Sequence, residues 1–149
     1  MIREQIIKVA EKEVGDAEQS GNKTKYGKWF GWDGVAWCGI FVSWVYDKCG
    51  QTIKGGGWTK GFAGCQYAYS KFKGKIIKTP RTGDVILFDW NADGRYDHTG
   101  IFVKDIDGKT FESIEGNTSL KNQSNGGQVM RRKRKYNQCI FLNLINEKV

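Results

Sequence analysis

Two groups in this chain can do covalent chemistry together: the thiol of Cys38 and the imidazole of His98, the one histidine present. A thiolate attacks acyl carbons well when a neighbouring imidazole takes its proton and a third group orients that ring. Glu115 and Asn117, in Glu115-Gly116-Asn117, can supply the third group. Cys38 stands at the start of the run Trp37 to Tyr46, which is apolar on nearly every side. That pattern predicts a helix buried all round, ended by Gly50. In its first turn, unpaired amides and the helix dipole favour an anion, and so a thiolate. The same position also suits an inert cysteine packed like a small hydrophobe. A lone histidine is likewise often structural, so the pairing of the two carries the argument.

The elements that must position these groups follow from periodicity. Residues 2–14 place Ile2, Ile6, Ile7, Ala10 and Val14 at helical spacing, and Gly15 ends that amphipathic helix. Residues 16–35 turn polar, then aromatic and glycine-rich, and read as an ordered loop feeding the central helix. Its Trp and Tyr side chains either line a groove or pack beneath the loop, the commoner arrangement. Gly55-Gly56-Gly57-Trp58 is a glycine-rich connection that does not match the GxxxxGK[ST] phosphate loop. Residues 60–72 carry Phe62, Cys65, Tyr69 and Phe72 at helical spacing.

From Pro80 the period changes to that of strands. Val85 to Phe88, Thr99 to Val103, Thr110 to Ile114, Gln128 to Lys133 and Cys139 to Ile145 read as strands. A hairpin turn at Asp105-Ile106-Asp107-Gly108 joins the second and third, and residues 116–127 read as a polar loop. An antiparallel hairpin brings the start of one arm near the end of the other, which is where His98 and Glu115 stand. Helices first and an antiparallel sheet after them make an α+β domain spanning residues 1–149, with no linker and no repeat.

Immediately before His98, Asp89-Trp90-Asn91-Ala92-Asp93-Gly94-Arg95-Tyr96-Asp97 repeats an oxygen ligand at every second residue and has glycine at the sharp turn. This is the first half of a calcium loop, with Asp89, Asn91, Asp93, Arg95 and Asp97 at the ligand positions. The twelfth position, where an EF-hand places a bidentate glutamate, is Gly100, so the loop is not an EF-hand. An acidic β-turn without metal is the competing reading. The formal charge of +8 favours polyanionic surroundings without choosing among nucleic acid, anionic lipid and wall polymers. Met130-Arg131-Arg132-Lys133-Arg134-Lys135 lies between strand-like segments and reads as a solvated strand end and turn. No nucleic-acid motif accompanies it.

Four cysteines, at 38, 49, 65 and 139, form no CxxC pair, and with no secretory signal at the N-terminus the reduced state is expected. No run of eighteen apolar residues exists to span a membrane. No organic cofactor is expected.

The sequence resembles the CHAP domain, the cysteine- and histidine-dependent amidohydrolase/peptidase of bacterial and phage wall lysins, within the papain-like NlpC/P60 group. The blocks that carry the resemblance are Thr24 to Gly31, Trp37-Cys38-Gly39 with Phe41 to Trp44, Gly83-Asp84-Val85, Asp97 to Ile101, and Glu115-Gly116-Asn117. They run in family order over nearly the whole chain. The resemblance implies a papain-like fold, with N-terminal helices packed on a C-terminal antiparallel sheet. It implies Cys38 as nucleophile, His98 as general base and then acid, Glu115 orienting His98, and Asn117 as an auxiliary polar group. The Cys38 backbone N–H and one further donor would hold the oxyanion. The implied reaction is amide hydrolysis through a thioester in the peptide part of peptidoglycan, as an endopeptidase or an N-acetylmuramoyl-L-alanine amidase. The expected partner is bacterial peptidoglycan, with no nucleic acid, no membrane insertion and a monomeric state. The protein would be made in the cytoplasm and act at the wall. Structural calcium is also in keeping with the resemblance. The alternative is a non-catalytic calcium- or cell-wall-binding module on the same fold.

Overall fold

A computed structural model describes residues 1–148, so Val149, the last residue of the expected domain, lies outside the described residues. Four α-helices come first: α1 (Ile2–Lys12), α2 (Lys25–Phe30), α3 (Cys38–Lys48) and α4 (Cys65–Lys71). Six strands follow: β1 (Ile76–Ile77), β2 (Val85–Phe88), β3 (His98–Asp105), β4 (Thr110–Thr118), β5 (Gln128–Lys135) and β6 (Cys139–Leu142). They form one sheet in the order β1-β6-β2-β3-β4-β5, with every pairing antiparallel. This is the expected α+β arrangement of N-terminal helices on a C-terminal antiparallel sheet.

Helix α3 is the pivot. Ile40, Phe41, Val42, Val45 and Tyr46 are wholly buried, and only Trp44 of its apolar run is half-exposed. Burying each large side chain of this kind contributes about 1.5–3 kcal/mol relative to leaving it in water. The helix contacts both β3 and β4, the strands that carry His98 and Glu115. Its partners include Ile101 and Ile114, which sit opposite each other across the β3–β4 pair. The α1 helix is tied to the far side by Arg3, whose guanidinium reaches the buried Asp84 carboxylate at 2.9 Å and Glu147 at 2.7 Å.

Three differences from the sequence expectations have physical reasons. The segment 16–35 is not all loop, because Thr24 caps a short helix there: its hydroxyl accepts from the Gly27 amide at 3.0 Å. Six residues are too few to show helical periodicity. Strand β4 runs on to Thr118, with a register irregularity after Glu115, instead of yielding to loop at residue 116. The basic run is not a strand end and turn but the body of edge strand β5, which reaches Lys135. Alternation then turns Arg134 inward, where it is buried, while Lys133 and Lys135 face solvent.

Candidate functional site

Cys38 is the first residue of α3, preceded by Trp37 as a cap whose side chain satisfies no helix amide. The first intrahelical bond joins the Phe41 amide to the Trp37 carbonyl at 2.8 Å, so the amides of residues 38 to 40 donate none within that ladder. Trp37 itself is fixed by its indole N–H on Glu18 at 2.9 Å and by stacking on Tyr26 at 5.4 Å. These contacts set where the helix begins and therefore where the thiol stands. Gly39 allows the next approach. A side chain there would meet the Ala63 carbonyl at 2.8 Å, so its absence lets residues 62 to 64 lie against the first turn. Ser43 staples the same segment, accepting from the Phe62 amide at 3.0 Å and donating to the Gly39 carbonyl at 2.9 Å.

His98 opens β3, and its wholly buried ring lies against Trp90 at 5.4 Å and Phe88 at 5.8 Å. Its Nε2 donates to Glu115 Oε1 at 2.9 Å. That hydrogen bond needs Gly100. A Cβ at that position would come within 2.5 Å of Glu115 Cγ, so the carboxylate crosses β3 only because no side chain is there. Glu115 is itself gripped by Arg134, which donates through Nε to Oε2 at 2.8 Å and through Nη2 to Oε1 at 2.7 Å. The Ser113 hydroxyl donates to Oε2 as well. The Arg134 guanidinium stands 4.7 Å from the Trp90 ring and 5.3 Å from Phe88. A planar fork stacked on aromatics and paired to both carboxylate oxygens is the strong form of this contact.

The electrostatics follow from these neighbours. Burial works to raise the Glu115 pKa, but hydrogen bonds from Arg134 and His98 overcome it and hold the carboxyl down at about 2. Burial works to lower that of His98, yet contact with Cys38 and Glu115 lifts it to about 9. The Cys38 thiol is pulled well below its usual range, first by the hydrogen bond with Cys65 and, against burial, by His98. Cys65 is pushed well above that range by the same contact and by its own burial. His98 Nδ1 is buried and has no hydrogen-bond partner. This leaves one ring nitrogen committed to Glu115 and the other available to the sulfur side. These shifts favour charge pairing along a buried line that runs from Cys38 through His98 and Glu115 to Arg134.

The structure thus brings Cys38, His98 and Glu115 together from α3, β3 and β4. Asn117 is placed differently. It adopts φ 58°, its Nδ2 donates to Asn125 Oδ1 at 2.9 Å, and its Oδ1 accepts from the Gly127 amide at 3.0 Å. The amide therefore braces the loop between β4 and β5, one residue past Gly116, which itself lies against Phe41 and Trp37. Two site residues were missed by sequence reasoning. Arg134 was hidden inside a basic run, where strand alternation was the available signal. Cys65 sat 27 positions from Cys38, yet their sulfurs lie 3.8 Å apart. Nothing in the sequence signals that proximity.

The acidic loop before His98 forms a tight turn. Asp89 accepts from the Asp93 and Gly94 amides at 3.2 and 2.9 Å, and Asp93 accepts from the Arg95 amide at 2.9 Å. The Asp97 carboxyl is pushed up by partial burial and by the charges of Asp93 and Asp89, a crowding that a cation relieves. Asn91 and Arg95 are exposed, and Arg95 has only its backbone carbonyl to offer a metal. Among the described residues, no three histidine, cysteine or acidic side chains gather closely enough to hold an ion. The loop offers oxygen donors of the type calcium takes, but its carboxylates are engaged with backbone amides and are not gathered around one point.

Trp32 and Trp58 are stacked at 5.1 Å and exposed at 45% and 40%. With Tyr67, Ala63 and Gly64 they line a cavity of about 280 Å³. Tyr26 and Phe30, by contrast, pack beneath the loop. None of the described helices is long and apolar enough to cross a membrane.

Comparison with known proteins agrees with this architecture. A family model described as "CHAP domain" matches residues 29–117, more than half of the chain. A crystal structure of the wild-type endolysin LysIME-EF1 superposes with a TM-score of 0.60 at 14% identity, covering 94% of this chain and 62% of that one. The crystal structure of Ly7917 superposes with a TM-score of 0.53 at 12% identity, covering 95% of this chain and 62% of that one. This chain therefore spans less than two thirds of either protein's length, and the likeness is one of fold. No curated protein matches it in sequence.

Proposed function

This chain belongs to the CHAP domain family, and from that premise we propose that it is a cysteine hydrolase that cuts an amide bond in the peptide part of bacterial peptidoglycan. The observation that carries the reading is the meeting of Cys38, His98 and Glu115, from three distant segments, in one buried charge-paired line. In this reading Cys38 attacks the scissile carbonyl as a thiolate. The Cys38 amide, one of the free N–H groups at the α3 start, stabilises the oxyanion. His98 gives its proton to the leaving amine, forming a thioester, and then takes a proton from the water that hydrolyses it. Glu115 fixes the ring and balances its charge, and Arg134 fixes Glu115. Asn117 serves indirectly, by holding the β4–β5 loop. The site of action is then the bacterial wall.

Calcium belongs to the same proposal. Asp89, Asn91 and Asp93, the backbone carbonyl of Arg95, and Asp97 would hold it. When bound, the ion would stiffen the segment that delivers His98 to the site.

The test is mass spectrometry of fragments released from a chemically defined peptidoglycan. The reading expects fragments ending in a new amine and a new carboxylate at one bond type, and their masses distinguish the MurNAc–L-alanine amide from a stem or cross-bridge bond. Intact wall after prolonged incubation, with Cys38 no more reactive to iodoacetamide than a free thiol, would favour a binding module on the same fold.

A further inference from the structure

Cys65 has no part in the reaction outlined above, yet it is the nearest thiol to Cys38. The two sulfurs stand 3.8 Å apart, and the two residues are 5% and 6% exposed. Each is the first residue of a helix, α3 and α4. The chain between them is held against α3 by the Ser43 hydrogen bonds and by the close fit at Gly39, so the spacing is built in. A disulfide requires the sulfurs to close to about 2.05 Å from that starting contact. All four cysteines are free thiols, and the sulfur contact recorded is the one between Cys38 and Cys65.

We propose that Cys38 and Cys65 form a peroxide-sensitive redox pair, in which Cys65 is the resolving thiol that locks the nucleophile in a reversible disulfide. The oxidant is hydrogen peroxide. The Cys38 thiolate attacks one peroxide oxygen. The O–O bond breaks, hydroxide leaves, and Cys38 becomes a sulfenic acid. The Cys65 sulfur then attacks the sulfenic sulfur. The S–O bond breaks, and the departing hydroxide leaves as water with the Cys65 proton. Two thiols are oxidised by two electrons in all, and one peroxide is reduced to two waters. A dithiol reductant reverses the step by thiol–disulfide exchange. The enzyme would then be silent under oxidative stress and protected from irreversible sulfinic acid formation. The inference uses the nucleophile assignment for its consequence, loss of activity, but the disulfide itself is a separate observable.

The experiment treats the reduced full chain with a small excess of hydrogen peroxide and then measures intact mass, cross-linked peptides and wall-clearing rate. The proposal expects a mass loss of two hydrogens and a peptide joining Cys38 to Cys65. Wall clearing should be lost and then regained on adding dithiothreitol. In Cys65→Ser, with activity expressed against that variant's own reduced state, oxidation should instead add oxygen to Cys38 and recovery should fail. Oxygen addition at Cys38 of the unaltered chain without cross-linking would overturn it. So would a cross-link that instead joins Cys49 or Cys139. A Cys38–Cys65 cross-link in a protein that never opens peptidoglycan would uphold the redox pair and sink the hydrolase reading.

Discussion

Arg134 holds both oxygens of the Glu115 carboxylate, at 2.7 and 2.8 Å, from the strand next to the one that carries it. Both side chains are almost wholly buried. A buried carboxylate that lost this partner would keep only His98 and the Ser113 hydroxyl. Arg134→Met should therefore lower unfolding stability by about 3–5 kcal/mol, the usual cost of breaking a buried ion pair from one side. Arg134→Lys keeps the charge but not the fork, and should be intermediate. Urea unfolding midpoints of the two variants check this. Equal stability of Arg134→Met and the unaltered chain would show that Glu115 is not held as described.

Cys38→Ala and His98→Ala should abolish wall clearing while leaving the far-ultraviolet circular dichroism unchanged, because each removes a reacting group and no backbone support. Cys38→Ser should also be inactive, since a hydroxyl is far harder to ionise than this thiol. Full clearing by Cys38→Ser would rule out a thiolate mechanism.

Gly100→Ala tests the path by which Glu115 reaches His98. Its new Cβ would fall 2.5 Å from Glu115 Cγ, so the carboxylate must shift off the ring. Misplacement on this scale is expected to reduce the turnover rate about 10–100-fold, with the fold retained. A variant with unaltered turnover would show that the Glu115–His98 contact does not govern the rate.

How much of this was legible in advance depends on the length scale of each signal. Helix α3 and strand β2 stood out because their apolar patterns are local and unbroken. The hairpin that pairs β3 with β4 was marked by its turn residues, so His98 and Glu115 could be brought together on paper. Arg134 was harder to place, because strand alternation, its one available signal, is not marked by alternating apolar residues in the basic run that ends at Lys135. The approach of Cys65 to Cys38 depends on how residues 62–64 pack over Gly39, a tertiary fact with no sequence period. The short helix α2 escaped because a six-residue helix built on aromatics and a glycine looks like loop until its cap at Thr24 is recognised.

Acid should unfold the protein partly through Glu115. Its carboxyl is held at about 2 in the folded state, below its ordinary 4.5, so its stabilising contribution is present above pH 4.5 and is lost as the pH falls towards 2. Across that window the loss amounts to about 3 kcal/mol. Urea midpoints recorded between pH 6 and pH 2, conditions on the order of the titration range, should fall more steeply for the unaltered chain than for Glu115→Gln. Parallel curves would contradict this account.

If the loop from Asp89 to Asp97 takes calcium, the ion should raise the melting temperature of the folded chain relative to the same sample in EDTA. At about one hundred times Kd the gain is about 2.7 kcal/mol. The double variant Asp89→Asn, Asp93→Asn should lose the response. A shift that survives in the double variant would place the ion elsewhere, and no shift at millimolar calcium, an order-of-magnitude ceiling for loops of this kind, would remove it.

The central claim is that the sulfur of Cys38 forms the bond that opens the wall. Purified peptidoglycan incubated with the unaltered chain, quenched in acid and digested, should yield a Cys38 peptide carrying a thioester-linked fragment, with new amine groups accumulating in the supernatant. New amines that appear at an equal rate with Cys38→Ala would contradict the claim outright.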